Sequence, residues 1–357
     1  MGSLLRRLGI GLPIVQAPMA GVSSPAMAAA VSNAGALGSL AVDASSAADA
    51  QRSIAEVRAL TSGPLSVNVF CHAPARRDAE LERRWIARLA PELARYDAVP
   101  PPDLREIYRS FVDDDTMLRT LIAAKPTAVS FHFGVPPADR IAALRAAGVV
   151  LFGTATSLAE ARLLAAAGVE VIVAQGYEAG GHRGTFDLET PDDRIGTFAL
   201  VRVLVRELSL PVIAAGGIMD GAGIAAALRL GASAAQLGTA FIACDESLAD
   251  AAYRAALTTD AAHHTVMTRA ISGRPARCLG NRFTALGAAV PDADVPAYPV
   301  AYDLGKSLHA AAKAKGEAGY GAQWAGQGAP LSRAMPAGAL VATLARELDA
   351  AHASAER

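Results

Sequence analysis

The sequence predicts an α/β protein, a (β/α)8 TIM barrel with helical insertions at the carboxyl ends of its strands. Eight short runs of apolar and largely β-branched residues alternate with stretches of helical spacing, as expected for parallel βα units. These runs are continuously apolar, which is typical of strands covered on both faces. The length of 357 residues lies within the range of single barrels.

The predicted strands occupy residues 14–17, 36–41, 65–69, 128–133, 149–154, 171–175, 212–215 and 235–238. The helices between them have recognisable ends. Ser157 and Glu160 have the spacing of a capping box, and Gly168 follows the same helix as its C-cap. Gly148 and Gly231 are predicted to end two further helices just before the next strand.

Two long intervals interrupt the alternation of strands and helices. Residues 1–70 and 126–244 are predicted to form the barrel, with a helical insertion at 71–125 after the third strand. Residues 245–335 are predicted to form a helical cap that contacts the substrate, and residues 336–357 a C-terminal helix. Both insertions leave the carboxyl ends of strands, which is the face where barrel enzymes keep their active sites.

Composition and charge exclude several classes of function. The formal net charge is −1, and no basic stripe predicts a nucleic-acid partner. No apolar run reaches the length of a membrane span, and the N-terminus does not resemble a signal peptide. The three cysteines lack metal-site or disulfide spacing, so we expect no metal and a cytoplasmic location. The apolar insertions are compatible with a homodimer.

Glycine turns after the seventh and eighth strands indicate a phosphate site. Gly216 and Gly217 follow one strand, and Gly238 and Thr239 follow the next. Glycine lets the backbone approach a phosphate closely, and barrels commonly bind phosphate at this place. Taken alone, the first pair is also consistent with a simple tight turn.

Two histidines are predicted to face the same mouth of the barrel. His182 follows the sixth strand in a mobile glycine-rich loop, where it could serve as a base, and Gln175 ends that strand. His132 lies at the end of the fourth strand. The alternatives are an exposed loop histidine for His182 and a histidine buried in the barrel core for His132.

Three further residues suggest a surface for an aromatic ring system. Met19 and Ala20 follow the first strand and could form a flat apolar shelf. Asn68, near the end of the third strand, could hydrogen-bond the polar edge of such a ring. Ordinary core packing is an equally good explanation of Met19.

Five segments resemble the nitronate monooxygenases, formerly called 2-nitropropane dioxygenases. They are APMAG (17–21), NAGALGSL (33–40), GYEAGGHRG (176–184), AAGGI (214–218) and QLGTAF (236–241), within a similarity that covers about residues 10 to 330. The resemblance implies an FMN barrel. It implies that Gly217, Gln236, Gly238 and Thr239 hold the FMN phosphate, with Gly180 close to it and Leu237 also binding the cofactor. It implies too that Met19, Ala20, Asn68 and Gln175 face the flavin ring.

The same resemblance implies an activity and a substrate site. FMN and O2 would oxidise an alkyl nitronate, with propionate 3-nitronate favoured, to a carbonyl compound and nitrite. His182 corresponds to the family's catalytic base, and His132, Tyr108, Tyr298, Tyr302 and Lys306 surround the substrate. The spacing of four between the last three would place them on one face of a helix.

Two other functions remain open at this stage. Some of the motifs are shared with flavin-dependent enoyl-acyl-carrier-protein reductases, so an FMN-dependent NAD(P)H reductase of quinones or enoyl thioesters is one alternative. A barrel that only stores or senses FMN is the other. The cluster of tyrosines and a lysine favours a small anionic substrate over the reductase, and the two histidines that face one mouth argue against a barrel that only holds FMN.

Overall fold

A computed structural model shows eight parallel strands surrounded by helices, and it describes residues 2–355. Met1 and the last two residues of the predicted C-terminal helix, 356 and 357, lie outside the described residues. The strands are β1 (Ile14–Gln16), β2 (Gly38–Ala41), β3 (Leu65–Phe70), β4 (Ala128–His132), β5 (Val150–Ala155), β6 (Val171–Gln175), β7 (Gly181–His182), β8 (Val212–Ala215), β9 (Ala234–Leu237), β10 (Thr265–Thr268) and β11 (Ala276–Leu279).

The helices alternate with the barrel strands and continue into the C-terminal third of the chain. They are α1 (Ser3–Leu8), α2 (Pro25–Asn33), α3 (Ala47–Leu60), α4 (Ala79–Ala94), α5 (Asp115–Ala124), α6 (Ala138–Ala146), α7 (Leu158–Ala167), α8 (Thr197–Glu207), α9 (Gly221–Arg229), α10 (Thr239–Ile242), α11 (Ala251–Ala256), α12 (Arg282–Gly287), α13 (Val300–Ala314) and α14 (Ala337–Ala355).

The eight-stranded sheet closes on itself, which confirms the predicted barrel. Its strand order is β1-β9-β8-β6-β5-β4-β3-β2, and all seven pairings are parallel. A parallel bridge between Val15 and Leu37 joins the two ends of this order. The predicted seventh and eighth strands are therefore β8 and β9, because the two-residue strand β7 belongs to a different sheet.

Each barrel strand begins and ends within two residues of its prediction. The largest difference is at β2, where Ala36 and Leu37 were predicted as strand but lie before it. The Ala36 N–H donates back to the Val31 carbonyl of α2, and Leu37 makes only the bridge that closes the barrel, in which its N–H donates to the Ile14 carbonyl at 3.0 Å. Ladder pairing with β3 starts at Gly38.

Apolar side chains fill the barrel interior and the layer between strands and helices. Val15, Phe152, Val171 and Ile213 belong to the interior cluster, together with side chains of α1 that cover the amino-terminal end of the barrel. Closing this end leaves the opposite end, where the strands finish, for a cavity.

The predicted ends of α7 are partly confirmed. Ser157 Oγ accepts from the Glu160 N–H at 3.2 Å, and Gly168 has a φ of 94° at the C-cap. The second half of the capping box is absent, since Glu160 accepts instead from the Thr156 N–H and hydroxyl and from the Phe186 N–H. Glu160 thereby ties the helix to the segment that follows His182.

The segment after β3 contains two helices with different neighbours. α4 packs through Trp85 and Leu89 against Leu304 and Leu308 of α13. α5 lies between α3 and α6 in the ring of barrel helices, where Leu121 is buried.

The segment after β9 contains helices and the strands β10 and β11, which join β7 in a small antiparallel sheet of order β10-β11-β7. Strand β11 pairs His182 with Ala276 and so fixes the backbone of the glycine-rich segment that the sequence predicted to be mobile. A second difference concerns Tyr298, which precedes α13 and therefore does not share a helical face with Tyr302 and Lys306. In residues 2–355, no helix combines the length and apolar character that crossing a bilayer requires.

Candidate active site

A cavity of about 470 Å³ opens at the carboxyl ends of the barrel strands, between the barrel and the segment after β9. All but one of the residues predicted for cofactor and substrate line it. These are Met19, Ala20, Asn68, Tyr108, His132, Gln175, Gly180, His182, Gly217, Gln236, Gly238, Thr239, Tyr298, Tyr302 and Lys306.

Leu237 is the exception, and its side chain lies in the core between strands and helices. It packs in one cluster with Ile14 and Met27 and is 1% exposed. Successive side chains of a strand point to opposite faces, so Gln236 reaches the cavity and Leu237 cannot. The backbone of Leu237 still shapes this wall, because its carbonyl accepts from the Ala17 N–H at 2.8 Å.

One end of the cavity carries backbone amides and a hydroxyl that are suited to an anion. Gly217 has a φ of 74°, a conformation that favours glycine. Within residues 2–355, the N–H groups of Gly217 and Gly238 donate to no backbone or side-chain acceptor. The Thr239 hydroxyl accepts from the Gly326 N–H at 3.0 Å, which leaves its own hydrogen free to donate.

The Met19 segment is held in place by a buried glutamine that the sequence analysis did not single out. Gln16 donates to Ser23 Oγ at 2.8 Å and to the Ser39 carbonyl at 3.1 Å. Ser23 Oγ in turn accepts from the Met19 N–H at 3.0 Å. These bonds fix the turn after β1 and hold Met19 and Ala20 against the cavity.

Asn68 belongs to a buried polar chain at the ends of neighbouring strands. Its amide nitrogen donates to Asp43 Oδ2 at 2.8 Å, and its oxygen accepts from Ser130 Oγ at 2.8 Å. One amide hydrogen of Asn68 remains for a ligand. Burial raises the pKa of Asp43 to about 7, although the Asn68 amide favours the charged carboxylate.

Two side chains hold His182 in place through its backbone carbonyl. Gln175 donates to this carbonyl at 2.9 Å, and His132 Nε2 lies 3.2 Å from it. A carbonyl can only accept, so His132 carries its hydrogen on Nε2. Gln175 also accepts from the Gly184 N–H at 2.7 Å, and its amide therefore braces both sides of His182.

Ser272 fixes the imidazole of His182. Ser272 Oγ lies 2.8 Å from His182 Nε2 and 3.3 Å from the Arg274 carbonyl, to which it donates. The hydroxyl has one hydrogen, so it accepts from Nε2–H of His182. His182 Nδ1 then carries a lone pair, and among the described residues nothing bonds to it.

Aromatic rings and Lys306 form a further part of the cavity lining. The His182 ring is in contact with Tyr298 at 5.4 Å, Trp324 at 5.1 Å and Tyr302 at 6.4 Å between ring centroids. Lys306 Nζ lies 5.0 Å from the Tyr108 ring centroid and 5.5 Å from that of Tyr302. None of the ion pairs found in residues 2–355 includes Lys306, and burial lowers its pKa.

Three histidines in this region are neutral at physiological pH, of which His72 is buried and His132 and His182 are half-buried. Burial lowers the pKa of His182 to about 3, with further lowering from His132, Arg274 and His72. Burial also lowers the pKa of His132 and of His72 to about 4. His72 lies behind the cavity wall, 5.1 Å from Tyr298 between ring centroids, and both of its ring nitrogens are buried. Neither nitrogen makes a hydrogen bond of ordinary geometry, although the Tyr108 backbone is close enough to favour the charged imidazole.

These pKa shifts predict a loss of stability in mild acid. A histidine that stays neutral in the folded state binds its proton only in the unfolded state between about pH 6.5 and 4. For each such histidine, the free energy of unfolding therefore falls by roughly 1.4 kcal/mol for every unit by which the pH is lowered in this range. Asp43 has the opposite effect, and raises the free energy of unfolding as the pH falls from about 7 to 4. The reason is that its carboxyl binds a proton in the folded protein over this range, but not in the unfolded chain. Three histidines outweigh one carboxyl, so the melting temperature should fall from pH 7 to 4.5.

Thermal unfolding across this pH range, in wild type and His72→Met, checks the prediction. The variant removes one titrating group without touching the cavity lining, so its melting temperature should depend less steeply on pH. A melting temperature with the same pH dependence in both proteins would contradict the assignment of His72.

Besides Gln16, the sequence analysis missed four residues that shape this site, and two of them had a signal. Asp43 follows a predicted strand by two residues and His72 follows another by three, at the face where His132 was found. Ser272 and Trp324 are distant in sequence and reach His182 only because β11 pairs with β7. No local sequence pattern predicts such a contact.

Comparison with known proteins identifies the family. A family model described as nitronate monooxygenase matches residues 3–347. Nitronate monooxygenase of Paraburkholderia phytofirmans is 60% identical over 346 residues, which covers 97% of this chain and 94% of that protein. Nitronate monooxygenase of Pseudomonas aeruginosa is 54% identical and covers 96% of this chain and 98% of its own length.

Solved structures agree with this match. A nitroalkane oxidase from Streptomyces ansochromogenes superposes with a TM-score of 0.88 at 42% identity, covering 98% of this chain and 99% of that one. FabK from Thermotoga maritima superposes with a TM-score of 0.76 at 28% identity, covering 100% of this chain and 98% of that one. The chain therefore belongs to the nitronate monooxygenase family, an oxidoreductase family, and has the TIM-barrel fold.

Proposed function

We propose that this protein oxidises alkyl nitronates with FMN and O2, releasing a carbonyl compound and nitrite, and that propionate 3-nitronate is a favoured substrate. The observation that carries the proposal is the arrangement of one cavity. Free backbone amides lie at one end, and a neutral imidazole with an unpartnered nitrogen faces a cluster of tyrosines and a lysine. Such a cavity can hold a phosphorylated cofactor together with a small anion.

The residues at the glycine end fit FMN. The Gly217 and Gly238 amides and the Thr239 hydroxyl would hold the phosphate, with Gly180 and Gln236 beside them. Met19 and Ala20 offer an apolar surface to the ring, and Asn68 keeps one amide hydrogen for its polar edge. When bound, FMN supplies the acceptor for the electrons that the substrate gives up.

The part of the lining that contains Lys306 and the tyrosines is suited to a nitronate anion. Lys306 is the cation that the cavity presents without a carboxylate partner among the described residues, and two tyrosine rings lie beside its exposed side chain. The hydroxyls of Tyr108 and Tyr302 can donate to nitronate oxygens, because burial raises the pKa of both well above its usual range. A positive charge and neutral donors together favour an anionic ligand.

His182 is suited to remove a proton from a neutral nitroalkane before its oxidation. Its Nδ1 lone pair is unpartnered, and Ser272 and Gln175 hold the ring and the backbone in position. The low pKa keeps the imidazole in its basic form, and the nitronate formed beside it would favour the imidazolium. A preformed nitronate needs no such step.

The proposal is tested with the purified protein in two measurements. The visible absorbance spectrum and the FMN released on denaturation show whether flavin is bound. Nitrite release and oxygen uptake with propionate 3-nitronate show the reaction. A protein that carries FMN and consumes neither substrate nor oxygen would rule the proposed activity out.

A reductase that takes hydride from NAD(P)H is the second candidate, favoured by the structural likeness to FabK. Anaerobic mixing with NADPH separates the two. Rapid bleaching of the flavin, without nitrite formation from nitronates under air, would favour the reductase. The unpaired Lys306 beside Tyr108 and Tyr302 supports the nitronate activity instead.

A further inference from the structure

Arg274 is a buried arginine without a carboxylate partner. It is 4% exposed, its Nη2 donates to the Thr185 carbonyl, and its Nε is buried with no acceptor. The ion pairs found in residues 2–355 do not include it. A buried charge is costly unless it is paired, so a position that keeps one unpaired calls for an explanation.

Other buried arginines of this chain are compensated. Arg183 forms two bonds to Asp192, at 2.8 and 3.0 Å, and Arg140 donates to Asp115 at 2.7 Å. Arg277 has no ion pair, but its three nitrogens all donate to oxygen atoms of Tyr177 and Thr265. Arg274 alone of these four combines an orphaned nitrogen with the absence of a carboxylate.

A single aromatic ring separates this charge from the cavity. The guanidinium carbon lies 4.1 Å from the centre of the Phe133 ring. The same ring is in contact with His182 at 5.6 Å and with Tyr298 at 5.5 Å between centroids. The charge therefore lies within about 10 Å of the His182 ring, close enough to act on a charge in the cavity through partly buried surroundings.

Among the described residues, Arg274 forms no ion pair with the charged groups near it. The histidines between it and the cavity are neutral. Glu160 is a carboxylate close enough to act on Arg274, but its oxygens accept from Thr156 and Phe186, and no ion pair joins the two side chains. Asp43 lines the cavity, and its amide partner is Asn68.

We propose that Arg274 is a specificity-determining residue, whose unpaired charge acts through the Phe133 ring and selects anionic over neutral ligands for the cavity. Arg274 itself does not line the cavity, so it acts through its field and touches no substrate. The inference rests on the proposed function insofar as the substrate is an anion. It adds a second cation to Lys306, on the far side of the aromatic wall.

Binding of two probes of the same size tests this, with propionate as the anion and propionamide as its neutral counterpart. Isothermal titration calorimetry is carried out on the purified protein in wild type, Arg274→Met and Arg274→Lys. We expect Arg274→Met to weaken propionate binding about tenfold while propionamide changes less than about twofold. Arg274→Lys keeps the charge and should retain most of the affinity for propionate.

Arg140→Met is the matched control, because it removes a guanidinium that is equally buried but lies between α5 and α6, away from the cavity. Should Arg274→Met fail to fold, Arg274→Gln replaces it and keeps a donor for the Thr185 carbonyl. Equal weakening of both probes would overturn the inference, as would wild-type protein that binds both probes equally.

Nitrite release from propionate 3-nitronate, measured on the same preparations, separates the two proposals. Propionate binding that depends on Arg274, in a protein without nitronate activity, would leave the inference standing and remove the proposed function. Nitronate turnover by a protein whose propionate binding is unchanged in Arg274→Met would support the proposed function and overturn the inference about Arg274.

Discussion

His182→Asn should lower kcat/KM for neutral nitroalkanes at least about 100-fold and leave oxidation of preformed nitronates within a few fold, since a positioned general base contributes about 10²–10⁴. The reason is geometric. Ser272 occupies Nε2 at 2.8 Å, and the unpartnered Nδ1 is the atom of this ring that can take a proton from substrate carbon. Asparagine keeps a polar group of similar length but offers no base.

Initial rates with nitroethane and with separately prepared ethyl nitronate give this comparison. Ser272→Ala is the matched variant, because it keeps the imidazole but removes the hydroxyl that sets its tautomer. It should lose about tenfold on nitroethane, less than His182→Asn. Equal losses on both substrates in His182→Asn would show that His182 binds or orients the anion and removes no proton.

The pH dependence follows from the same environment. The base must be unprotonated, and burial lowers the pKa of His182 to about 3. Protonation of His182 should therefore not lower activity on nitroethane as the pH falls from 8 to about 5, wherever the protein remains folded. Asp43 also lines the cavity and has a pKa of about 7, so Asp43→Asn is measured beside wild type. A decline centred near pH 6.5 that persists in Asp43→Asn would mean that His182 titrates like an exposed histidine.

The barrel could be predicted from the sequence because its signals are local. Continuous apolar runs such as 171–175 and 212–215 fix a strand by their composition, and the glycines after the helices fix where the next strand begins. The site followed from one topological rule, since parallel strands finish at the same end of a barrel. This rule is sufficient to bring His132, Asn68 and Gly217 into one cavity.

The features that escaped prediction depend on contacts between distant segments. His182 is ordered by pairing with Ala276, and its tautomer is set by Ser272 at 90 residues' separation. Tyr298 is a different case, because its signal was present. It precedes Pro299, and a residue before proline disfavours helical backbone, so the helix begins only at Val300.

The Gly217→Ala variant should fold but lose bound FMN. Gly217 has a φ of 74°, and an added Cβ would lie 3.3 Å from Glu178 Cβ, so the turn must move by a few tenths of an ångström. That displacement changes the position of the amide that we propose for the phosphate. A site that holds an anion through fixed N–H groups tolerates little movement, and we expect FMN affinity to fall at least about tenfold.

Gly148→Ala separates this effect from backbone strain. Gly148 also has a positive φ, 83°, but a Cβ there would meet nothing within 4 Å, and it lies between α6 and β5 away from the cavity. Both variants should lower the melting temperature by a similar few degrees, since each forces alanine into a left-handed conformation. The FMN-to-protein ratio after gel filtration should fall only in Gly217→Ala. Equal flavin content in the two variants would mean that the phosphate is held elsewhere than on the turn after β8.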